Sequence, residues 1–84
     1  MRLPVIRKLL NCTQEELSST LSVLDKVCDS RGIKEEELEV IGELMSNISG
    51  AIEVHSRIND GISERDALNG FMKKVTNIGR WVIL

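Results

Sequence analysis

Aromatic residues are almost missing from this chain, which holds one Phe, one Trp and no Tyr in 84 residues. That scarcity removes most stacking platforms for single-stranded nucleic acid and argues against an aromatic-lined ligand pocket. One histidine and two cysteines leave little from which to build a metal site or a catalytic triad. No run approaches the roughly 18 consecutive apolar residues of a membrane span. Arg2, Arg7 and Lys8 break the start of the chain before a signal-peptide core could form. A cytoplasmic protein is expected on these grounds. Cys12 and Cys28 then read as free thiols, since a continuous helix between them would hold them about 24 Å apart, beyond disulfide reach.

What is present describes a single folded domain over residues 1–84. Hydrophobic residues at 42% and charged residues at 29% are an ordinary globular balance. A chain this short has a thin core of its own. The net charge of −2 hides a strong segregation. Residues 1–11 carry Arg2, Arg7 and Lys8 with no acid, whereas residues 33–60 carry seven acids against Lys34 and Arg57. Residues 61–84 turn basic again through Arg65, Lys73, Lys74 and Arg80. An acidic middle between basic ends suits pairing within or between copies of the chain better than binding to a phosphate backbone.

The apolar periodicity predicts four helical segments, at about 4–10, 14–31, 34–59 and 64–78. Pro4 suits a first helical position, and Thr13 with Glu16 forms a capping box at the second start. Gly32 can close that helix in the left-handed conformation. Glu35, Glu36 and Glu37 fall in the first turn of the third segment, where the helix dipole favours negative charge. Leu38, Ile41, Met45, Ile48, Ile52 and His55 then recur at steps of three and four, until Asn59-Asp60-Gly61 stops the pattern. Ser63 and Asp66 mark the fourth start, and Gly79 its expected end. The fold class that follows is all-α, a small antiparallel three-helix arrangement with an extra N-terminal helical turn. The expected core is Leu17, Leu21, Leu24, Cys28, Leu38, Ile41, Met45, Ile48, Ile52, Leu68, Phe71, Val75 and Ile78.

No pattern of residues specifies catalysis. His55 occupies a seam position and reads as a hydrogen-bonded histidine or one at an oligomer contact, because no Glu-x-x-His or His-x-x-x-His spacing surrounds it. Glu36, Glu39 and Glu43 share a helix face, yet no second carboxylate cluster completes a two-helix metal site, and a solvated acidic face is the simpler reading. No metal, cofactor or nucleic acid is expected. Two features stand out instead. Gly42, Ser46 and Gly50 form a small-residue stripe on the long helix, where another backbone can come close. Trp81, Val82, Ile83 and Leu84 form an apolar end within the tail at 80–84, which must cover the domain or bury itself in a partner. These residues and His55 are the candidate interaction set.

Val40-Ile41-Gly42-Glu43-Leu44-Met45-Ser46-Asn47, Gly50-Ala51-Ile52-Glu53-Val54-His55, Ala67-Leu68-Asn69 and Phe71-Met72-Lys73 resemble a family of short helical proteins over about residues 35–78. That family is taken to include functionally uncharacterised bacterial members and the phage lysis-inhibition accessory proteins. The resemblance implies a cytoplasmic protein that delays lysis by binding a holin or antiholin, with no catalytic residue to transfer. The expected function is therefore a non-enzymatic, homo-oligomeric regulatory module that binds itself and a phage or host protein. The alternative is an oligomer that holds an anionic ligand, such as a nucleotide, against its basic ends.

Overall fold

The computed structural model describes residues 2–83, with side chains through residue 74. Four helices follow one another: α1 (Leu3–Leu9), α2 (Gln14–Cys28), α3 (Glu35–Asn59) and α4 (Glu64–Ile83), with no strand among the described residues. The fold class is the all-α one that the periodicity predicts. α3 is its axis: α2 and α4 pack on it, and α1 lies across both α3 and α4. The result is a slab measuring 43 × 36 × 18 Å, about two helices thick given the helix diameter of roughly 10–12 Å.

Local chemistry fixes the helix ends. The Thr13 hydroxyl accepts from the Glu16 amide at 3.1 Å, and the Glu16 carboxylate accepts from the Thr13 amide at 2.9 Å, completing the capping box. At the end of α3 the Ile62 amide donates to Arg57 O and the Gly61 amide to Ile58 O. This is a Schellman closure, and Gly61 takes the φ of 98° it demands. The Ser63 hydroxyl accepts from the Asp66 amide at 3.2 Å to open α4.

Two boundaries depart from the sequence expectation. α2 stops at Cys28 rather than 31. Its last carbonyls are taken early, Val27 O by the Ser30 amide and Lys26 O by the Ser30 hydroxyl at 3.0 Å, so the chain leaves α geometry before it reaches Gly32 (φ 85°). α4 runs through Gly79 to Ile83 instead of ending near 78. A glycine inside a helix costs only on the order of 1 kcal/mol, so without a left-handed turn it does not terminate one. The apolar tail at 80–84, whose conformation the sequence leaves open, is helical backbone as far as Ile83.

The core gathers Ile6, Leu17, Ile48, Ala51, Val54, Ala67, Leu68 and Phe71. Leu17, Ile48, Leu68 and Phe71 are where the periodicity places them. Leu21, Leu24, Cys28, Ile41, Met45 and Ile52 are half-buried. Leu38 is corrected outright, being 37% exposed. Cys28 Sγ meets Met45 Sδ at 3.8 Å, so Leu38 lies seven residues, roughly 10 Å, past the point where the antiparallel α2 ends. The expected Val75 and Ile78 side chains lie outside the described ones.

α1 is too short to persist alone. Fully buried Ile6 anchors it, and its entry is tied to α3 by Asn47, whose Oδ1 accepts from the Arg2 amide at 2.9 Å. Asn47 Nδ2 donates to Glu43 O at 3.1 Å, so this buried amide is satisfied at both ends.

Gly50 is the closest approach. A Cβ there would meet Phe71 Cζ at 2.9 Å and Ile6 Cδ1 at 3.2 Å, whereas one on Gly42 would meet nothing within 4 Å. Gly50→Ala should therefore destabilise the chain by about 1–3 kcal/mol through overpacking, and Gly42→Ala should stabilise it by about 0.5–1 kcal/mol. Urea unfolding of both variants checks the opposite signs.

Candidate functional site

α3 carries two apolar seams. The one legible at first sight, Leu38 to His55, faces α2. A second runs through Val40, Leu44, Asn47, Ala51 and Val54 at steps of four, three, four and three, along the side that α1 covers. Asn47, Ala51 and Val54 are buried, yet Val40 is 58% and Leu44 48% exposed. The cover ends because α1 begins at Leu3 and its Arg2 amide is already level with Asn47. The distal half of α3 thus presents Val40 and Leu44 as an open apolar step beyond the start of α1.

The small-residue stripe divides between interior and surface. Gly50 lies under Phe71 and Ile6 of its own chain, so the close approach expected of the stripe takes place inside the molecule at this position. Gly42 faces open space, and the Ser46 hydroxyl donates to Gly42 O at 3.0 Å. His55 is half-buried, and its Nε2 donates to Cys12 O at 2.8 Å. Nearby, Gln14 accepts from Asn59 Nδ2 at 2.9 Å and donates to Ile52 O at 3.5 Å. His55 therefore belongs to a polar latch that fastens the α1–α2 connection to α3. The side chains of Trp81, Val82 and Ile83, and Leu84 altogether, lie outside the described residues.

Charge is distributed as sharply in space as along the chain. Glu35, Glu36, Glu37, Glu39 and Glu43 are exposed on the distal half of α3, while Arg2 at the N-cap of α1 and Arg7 and Lys8 within it are exposed. Arg2 and Glu43 meet at 3.7 Å where the two zones join, a solvent-exposed pair worth little by itself. Between α3 and α4, Glu53 accepts from Lys74 at 2.8 Å and from Arg57 at 3.5 Å. The Lys74 hydrogen bond is the main reason the Glu53 carboxyl titrates below the ordinary 4.5, with partial burial opposing it and the two nearby cations assisting. Hydrogen bonds with Thr13 lower Glu16 in the same direction.

Two open grooves accompany these features. One of about 560 Å³ between α2 and α3 is lined by Ser18, Leu21, Ser22, Asp25, Met45, Ser46 and Ser49. The other, about 400 Å³, is lined by Thr13, Glu15, Glu16, Ser19 and Thr20. Neither lining contains a cation or a paired nucleophile and base. Among the described residues no three His, Cys, Asp or Glu converge as a metal site would require. No described helix is long and apolar enough to cross a membrane.

Fold and surface together define a small helical protein organised on one long axial helix, one end of whose second seam is uncovered. The chain belongs to a family of unknown function (DUF6952), whose match spans residues 1–78. That match takes in α1 and α2 as well as the segment 35–78 on which a family resemblance was first visible. No curated protein and no solved structure matches the chain.

A carboxyl whose folded value lies below its unfolded one stabilises the fold above the unfolded value, and that contribution is lost as pH falls through the folded one. Stability should therefore drop as pH falls below 4.5. Glu53→Gln should lessen that drop without abolishing it, because Glu16 remains. Urea midpoints measured across the acidic range test this.

Proposed function

We propose that this protein is a non-enzymatic, homo-oligomeric interaction module that works by binding itself and a second protein. The observation that carries the reading is the uncovered end of the Val40–Val54 seam, where Val40 and Leu44 continue a buried stripe into solvent. An apolar stripe that continues past its intramolecular cover is the mark of a surface completed by another chain. The thinness of the slab supports the same reading, because small chains often gain stability by association. The two grooves do not favour the anionic-ligand alternative, since no cation lines either of them.

The narrower reading, an accessory protein that delays phage lysis by binding a holin or antiholin, is supported by the resemblance of residues 35–78 alone. Direct titration against a purified antiholin and against the cytoplasm-facing segments of a holin tests it, and absence of binding to both removes that reading while leaving the broader one intact.

The broader reading predicts a mass in solution above the 9.4 kDa of one chain, held across a wide concentration range. Light scattering after size exclusion gives that mass. A chain ending at Gly79, run alongside, reports whether residues 80–84 contribute to the contact. A single-chain mass at every concentration would remove self-association from the proposal.

A further inference from the structure

We propose that two copies stack face to face about a two-fold axis, each seating the exposed side of its α1 in the open step of the other. The inference rests on the self-association proposed above and names the surface that performs it. α1 and the step lie on the same side of the slab, α1 over the half of α3 that follows Asn47 and the step over the half that precedes it. An in-plane two-fold rotation reverses the direction of α3. It therefore brings the ridge of one copy over the step of its partner at both ends, as a self-complementary contact requires.

Charge selects this register. The step holds Val40 and Leu44 between exposed Glu36, Glu37 and Glu43, and the outer side of α1 holds Val5 with exposed Arg7 and Lys8. Ridge on step sets base against acid and apolar against apolar. Step on step would set two acidic rims together, and ridge on ridge two basic ones, each repulsive. A face of 43 × 36 Å has room for the about 800 Å² per partner of an ordinary stable interface.

The test is the mass of the full chain and of exposed-site variants, with far-ultraviolet circular dichroism on each. The wild type should have twice the single-chain mass, and Val40→Glu with Leu44→Glu should reduce it to one chain with helicity unchanged. Lys8→Glu should raise the dimer dissociation constant by on the order of tenfold or more, and Lys8→Glu combined with Glu36→Lys should recover most of the loss. A wild-type dimer that ignores all these changes overturns the arrangement and leaves self-association standing. A wild-type monomer overturns both. Should the double glutamate variant lose helicity, the Lys8 and Glu36 exchange decides alone, because both side chains are exposed.

Discussion

At Gly50 the side chains of Phe71 from α4 and Ile6 from α1 come within contact of where a Cβ would be. That single missing methyl lets two helices reach one stretch of α3 from adjacent directions, and most of the core lies within a turn or two of it. Asn47, Ala51 and Val54 are buried on the same stretch of α3. Large side chains there would hold α1 away from the axis and uncover this side of α3. The helix-propensity cost of a mid-helix glycine is thus offset by packing that no other residue permits.

Much of this architecture is legible in the residues. Capping chemistry at Thr13, Ser63 and the Asn59-Asp60-Gly61 stop places three helix ends to within a residue, because those signals act through bonds inside one turn. The α2 end was less legible. A glycine in a stretch of turn formers marks where the chain reverses, not where the last helical hydrogen bond falls, and Ser30 takes those carbonyls first. Gly79 shows the converse, since a glycine without a turn around it leaves a helix intact.

The α2-facing seam stood out because its residues are large. The second seam was hidden by composition: Asn47 is polar, Ala51 is small, and Gly50 beside them lacks a side chain, so their burial carries little hydropathy. The surest signal available was the second glycine of the stripe, which does mark a close approach, although by the chain's own helices. The open step was beyond sequence reasoning, because it depends on where α1 starts relative to α3. That relation is fixed by contacts far apart in sequence, the buried Ile6 against Gly50 and the Arg2–Asn47 hydrogen bond that spans 45 positions.

The same long span has a kinetic meaning. α2 and α3 are chain neighbours that pack antiparallel, and their contacts close through a short connection. α1 reaches α3 only after the whole of α2 and half of α3 have been brought round, which carries a larger loop-closure entropy for the few contacts a seven-residue helix gains. The hairpin and α4 are expected to assemble first and α1 to arrive last. By the same reasoning α1 is the first segment to leave. Its amides would exchange with solvent through an opening smaller than global unfolding, one that uncovers the entire second seam of α3 while the rest of the slab stays folded.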